Sequence, residues 1–73
     1  MCLGVPAKVI KKMENCVATV DVNGNQTDIN IRMTPEVELG QYVLVHAGFA
    51  MEIIDEDIAK ETMALLMELQ PYD

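Results

Sequence analysis

The sequence is short of several things, and each shortage closes a class of function. Of its 73 residues none is tryptophan, and only Tyr42, Phe49 and Tyr72 are aromatic. Proteins that hold single-stranded nucleic acid stack its bases on aromatic rings along a basic groove. Here Lys and Arg number 5 against 12 Asp and Glu, a formal net charge of −7. With few rings and few cations, the composition argues against a nucleic-acid partner. No apolar run approaches the roughly 20 residues that cross a bilayer, so no membrane partner is expected. The opening residues Met1-Cys2-Leu3-Gly4-Val5-Pro6 lack the basic head and long apolar stretch of an export signal, which points to the cytoplasm.

Ligand-bearing residues are equally sparse. Cys2, Cys16 and His46 are the whole complement of cysteine and histidine. A secreted disulfide scaffold carries four or more cysteines. A closed tetrahedral zinc site takes four Cys or His ligands, one more than are present. A permanently bound metal or cofactor is therefore not expected, whereas a shared or incomplete metal site stays open. No nucleophile–base–orienter set stands out. Gly24, Gly40 and Gly48 are isolated, so no phosphate-cradling loop is present. An enzyme acting alone is not expected.

What is present is globular: 51% of residues are apolar, and the length suits one domain over residues 1–73. Residues 7–13 read as a first strand behind Pro6, with a turn at Glu14-Asn15. Residues 16–22 alternate, with Cys16, Ala18, Val20 and Val22 on one face. Period two marks a half-buried strand and makes Cys16 a packed thiol. Asn23-Gly24 is the favoured pair for a two-residue hairpin turn, and both positions tolerate positive φ. The returning strand sets Ile29, Ile31 and Met33 inward. Residues 34–41 read as a loop. Residues 42–47 are apolar on both faces up to His46, and so should be covered on both sides. A last strand runs over 49–54. Five short strands with tight turns predict a mainly β fold, a small OB-like barrel over 1–54.

The period then changes. Asp55 suits an N-cap, and Glu56 and Asp57 suit the positive end of a helix dipole. Ile58, Thr62, Leu65, Leu66 and Leu69 fall on one stripe, flanked by Ala59 and Met63. This predicts an amphipathic α-helix over 55–70 whose stripe covers the barrel. Residues 51–73 also carry seven of the twelve carboxylates against Lys60 alone. The simplest account is a solvated helix face; the alternative is a surface that steers a basic partner.

Two residues carry the candidate chemistry. Removal of Met1 would leave Cys2 with a thiol and an α-amine on one residue, a potential chelate for a metal such as iron. The ammonium also favours thiolate. His46 ends a strand just before a glycine turn, where barrels place functional side chains. Imidazole and thiolate both suit iron. Together they leave most of a coordination sphere to others, as a carrier requires.

Two blocks, Met1-Cys2-Leu3-Gly4-Val5-Pro6 and Gly40-Gln41-Tyr42-Val43-Leu44-Val45-His46-Ala47-Gly48-Phe49-Ala50, give the chain its resemblance to the HypC/HupF family of nickel–iron hydrogenase maturation chaperones. The resemblance covers essentially the whole chain. It implies an OB-like barrel with a C-terminal helix and no enzymatic activity of its own. It implies two partners, the iron–sulfur protein HypD and the precursor of the hydrogenase large subunit. The cargo it implies is iron, held transiently as Fe(CN)2CO and shared with a partner. Cys2 would be the thiolate that touches iron and partners, with His46 as a second metal-site residue. The partner-binding set would be Cys2, Leu3, Gly4, Val5, Pro6, His46, Gly48 and Phe49. Two other classes compete: an oligonucleotide-binding barrel, and an adaptor that binds through its helix without touching metal.

Overall fold

A computed structural model describes residues 4–68. Five strands, β1 (Val5–Met13), β2 (Val17–Val22), β3 (Asn25–Asn30), β4 (Tyr42–His46) and β5 (Phe49–Ile54), precede one helix, α1 (Glu56–Glu68). The strands close into a barrel in the order β1-β2-β3-β5-β4. The mainly β barrel with a C-terminal helix that the sequence predicts is the fold observed.

Small branched residues set the barrel's girth. Val9, Val20, Val37 and Val43 are wholly buried, with Ala7, Ala18 and Ala50 filling the gaps between them. An interior lined by valine and alanine leaves no space for rings, which is consistent with so few aromatics. Val37 comes from the 31–41 connection, so that loop contributes to the core as well as joining strands.

Turn chemistry fixes the register. Asn23 and Gly24 take φ values of 52° and 88°, and the Asp21 carboxylate accepts the Gly24 N–H at 3.3 Å. The hairpin then pairs from Val22↔Asn25 to Val17↔Asn30. β1 serves two partners. Its first half pairs with β4 through Val5↔Val45, Pro6↔Leu44, Ala7↔Val43 and Lys8↔Tyr42. Its second half pairs with β2, after a shift between Val9 and Lys11. An extra residue in one strand bends it, and the bend turns β1 from one neighbour to the other. β4 lies between β1 and β5; its second face is covered only in part, with Tyr42 and Leu44 half-buried and His46 exposed.

The structure corrects three expectations. Cys16 does not open β2 as a packed thiol. It is exposed, in a turn with φ of 58° beside Asn15 at 65°. The turn takes one residue more than the alternation indicates and rotates the thiol out of the ladder. Met33 is not inward but 58% exposed. β3 stops at Asn30, whose side-chain Oδ1 accepts the Arg32 N–H at 2.8 Å, and that local bond ends the ladder. The helix is also rotated. Ala59 is its buried residue, Thr62, Met63 and Leu66 are half-buried, and Ile58 and Leu65 are 51% and 59% exposed. The small Ala59 side chain lets α1 lie close to the barrel, and Asn23 Nδ2 reaches Met63 Sδ at 3.7 Å. The predicted residues 69 and 70 of the helix lie outside the described residues.

Candidate functional site

His46 owes its position to the turn that follows it. Ala47 and Gly48 take φ values of 54° and 84°, a two-residue hairpin loop of the primed kind. The loop sets His46 opposite Phe49 across β4 and β5. Gly48 has a second contact, since its carbonyl oxygen accepts the Asn30 N–H at 2.9 Å. That bond lies where β3 meets β5 in parallel at Asn30↔Phe49 and the barrel closes. His46 therefore stands on a turn anchored to a third strand.

Alternation along β4 sorts its side chains. Val43 is buried and Val45 packs on the core, so Tyr42, Leu44 and His46 share the outer face. Directly paired residues project on the same side, so Phe49 shares that face with His46. Both are exposed. On the other flank of β4, Gly4 closes over Leu44. A Cβ built on Gly4 would stand 3.0 Å from Leu44 Cβ and 3.4 Å from its Cδ2. Gly4, just before β1, thus forms one outer surface with Leu44 and His46 of β4 and Phe49 of β5. Val5 alternates to the other face and is 39% exposed at the barrel's end. Pro6 is buried. It lines a cleft of about 200 Å³ between barrel and helix, with Lys8, Tyr42, Ala59 and Met63.

At the rim of this cleft Lys60 Nζ meets Glu56 at 2.9 Å. The hydrogen bond and charge of Lys60 hold the Glu56 carboxyl below its ordinary range. The same contact raises Lys60.

Of the residues singled out from sequence, the structure brings Gly4, His46, Gly48 and Phe49 together. Cys2 and Leu3 lie outside the described residues. Sequence reasoning overlooked Leu44, the seat of Gly4. Close approach of a glycine to a neighbouring strand's side chain leaves no periodic signal, and the glycine itself is the clue. Among the described residues, no three Cys, His, Asp or Glu side chains gather to hold a metal ion. No helix among the described residues is long and apolar enough to cross a membrane.

Comparison with known proteins places this arrangement. Residues 1–66 match the HupF/HypC family, a span that takes in both the N-terminal block and the His46 turn. The chain belongs to the HupF/HypC family. Similar members include the hydrogenase maturation factor HybG of Escherichia coli, 47% identical over 79 aligned positions, covering 100% of this chain and 95% of HybG. The hydrogenase maturation factor HypC of Synechocystis is 39% identical, covering 94% of this chain and 97% of HypC. That of Cupriavidus necator is 33% identical, covering 96% and 78%. Family membership thus joins the barrel, the N-terminal block and the His46 turn in one lineage.

Proposed function

We propose that this HupF/HypC protein is a hydrogenase maturation chaperone that helps assemble and deliver the Fe(CN)2CO centre to the large-subunit precursor of a nickel–iron hydrogenase. It is a maturation factor and not an enzyme. The single observation that carries the reading is similarity along the whole chain to proteins named hydrogenase maturation factors. In this reading the Cys2 thiolate contacts the iron and the partners, HypD first and the precursor afterwards. His46 supplies or orients a second ligand. Iron is cargo here, so a small ligand set is an advantage: a site that fills a metal's coordination sphere cannot readily hand the metal on.

Two features support the assignment of roles. Thiolate and imidazole are a donor pair suited to iron. The outer face that carries His46 also seats Gly4 against Leu44, and Gly4 belongs to the same N-terminal block as Cys2. In this reading Gly4, His46, Gly48 and Phe49 supply partner contacts on the same surface, with Phe49 as its apolar element.

The test is a Cys2→Ala chain. It should lose capture of HypD and fail to mature the hydrogenase in a host lacking its own copy, with an unchanged melting temperature. Cys2 precedes the first strand in the sequence, which is why no loss of stability is expected. Capture and maturation surviving the change would overturn the reading.

A further inference from the structure

β3 meets β5 only at Asn30↔Phe49, so most of β3 is paired on one side alone, with β2. The hairpin decides which backbone groups face the other side. A two-residue loop makes Val22↔Asn25 a hydrogen-bonded pair, and such pairs alternate along an antiparallel ladder. Asn25, Thr27 and Ile29 therefore bond to β2, whereas Gln26, Asp28 and Asn30 turn their N–H and C=O groups away from it. The Asn30 N–H bears this out, since it leaves the hairpin for the Gly48 carbonyl oxygen at 2.9 Å. Gln26 and Asp28 find no such backbone partner among the described residues, and residues 25–28 are all exposed. Proteins commonly guard an open edge with a lysine, a proline or a bulge. This stretch has neither lysine nor proline, and its register with β2 is unbroken.

We infer that the open edge of β3 is a docking site for an extended, cationic segment of a partner protein, which joins the barrel as an added strand. Gln26 and Asp28 offer it two donors and two acceptors at strand spacing. Charge selects the occupant. Asp28 lies across from Thr19 and accepts its Oγ1 hydroxyl at 2.7 Å. Paired side chains share a face, so the Asp28 carboxylate also stands beside the residue that an added strand sets opposite it. β2 and β3 carry no Lys or Arg. Cations in the sheet begin on β1, two strands away, with Lys8 and Lys11 across from Asp21 and Thr19. A Lys or Arg on the added strand therefore gains a partner, and an acidic residue is repelled. A second copy of this chain fits less well: pairing β3 on β3 sets Gln26 against Asp28 in place of a cation and brings together two net charges of −7. The edge ends at the Asn30–Gly48 bond, so a strand seated there abuts the turn that carries His46. The site needs neither Cys2 nor a metal.

The experiment is an NMR titration of the full-length protein with a short probe, acetyl-Thr-Arg-Thr-Arg-Thr-amide. Backbone bonds make little demand on sequence, so such a strand is a fair probe, and NMR reads millimolar binding. In the free protein the Gln26 and Asp28 amides should exchange with solvent faster than those of Thr27, held by β2, and Asn30, held by Gly48. The probe should shift both and slow their exchange. Glutamate in place of its arginines, or methylation of its backbone nitrogens, should weaken binding about tenfold or more. Asp28→Asn keeps an acceptor for Thr19 and should weaken it about threefold. Gln26→Pro removes an outward donor that the hairpin does not use; it should weaken binding about tenfold while the Thr27 amide stays protected. Gln26 and Asp28 amides as slow as Thr27 in the free protein, no shift at about 10 mM probe, or an equal response to the glutamate probe would each overturn the inference. Slowing of these amides with protein concentration alone, with a dimer in sedimentation, would give the edge to a second copy and overturn it as well.

Discussion

Asn30 donates its backbone N–H to the carbonyl oxygen of Gly48 at 2.9 Å. One bond thus does two things. It joins β3 to the start of β5, where the barrel closes, and it fixes the turn on which His46 stands. The adjacent Ile31 N–H goes to the Cys16 carbonyl at 2.8 Å, so the end of β3 holds the turns before β2 and before β5. Barrel closure and site geometry therefore share their hydrogen bonds.

The two residues of the β4–β5 turn should respond oppositely to substitution. Among the described residues nothing lies within 4 Å of a Cβ on Gly48, so Gly48→Ala meets no clash there but places a side chain at a φ of 84°. It should cost about 1 kcal/mol. Ala47 already bears that strain at 54°, and Ala47→Asn should be neutral or stabilising by up to about 1 kcal/mol. Urea denaturation of both variants reads the difference, and equal losses would contradict the turn assignment.

Cys16 offers a comparable test of a corrected expectation. As an exposed thiol at positive φ, it should accept Cys16→Gly with a change within about 1 kcal/mol in either direction. A thiol packed in the barrel would lose more on truncation. A loss above about 2 kcal/mol in chemical denaturation would restore the buried reading.

Thr34 is 3% exposed, and its Oγ1 is buried with no hydrogen-bond partner among the described residues. A buried hydroxyl without a partner carries a desolvation cost that a methyl group does not. Thr34→Val keeps the shape and should raise stability by about 1 kcal/mol. A fall of similar size would mean that the hydroxyl is in fact satisfied.

The helix face can be checked by substitution as well. Ala59→Leu forces volume between α1 and β1 and should cost about 1–3 kcal/mol. Leu65→Ser, at 59% exposure, should stay within about 0.5 kcal/mol. The reverse order would return the helix to the predicted stripe of Ile58, Thr62, Leu65, Leu66 and Leu69.

The Glu56–Lys60 pair makes a pH prediction whose sign follows from linkage. A carboxyl held low in the folded state contributes stability above its unfolded pKa and loses it as pH falls through the folded value. Lys60, raised by the same contact, loses its share as pH rises through its folded value. Both groups are exposed, so the contribution is small and screened by salt. An NMR titration should place the Glu56 midpoint below the ordinary 4.5, and Lys60→Gln should return it there. A midpoint unmoved by that change would show the pair to be absent in solution.

Much of the barrel was legible because its cues are local. Alternation in residues 17–22 and the Asn23-Gly24 pair specify a hairpin without help from the rest of the chain. The errors came where a neighbour decided. Met33 continues the alternation of Ile29 and Ile31, yet the Asn30 side chain ends the strand before it. Ile58 and Leu65 are larger than Ala59, yet the helix turns its smaller residue inward because closeness to β1 outweighs the area of a leucine. At the site, His46, Gly48 and Phe49 could be read from one block of sequence. Leu44 could not, because its role depends on a chain crossing over it.

The most direct test of the central claim is an infrared spectrum of the protein isolated without oxygen from its own host, with iron quantified, for wild type and Cys2→Ala. The account predicts bands of iron-bound cyanide and carbon monoxide in the wild type, with iron, and the loss of both in the variant. Absence of bands and iron from both samples would contradict it.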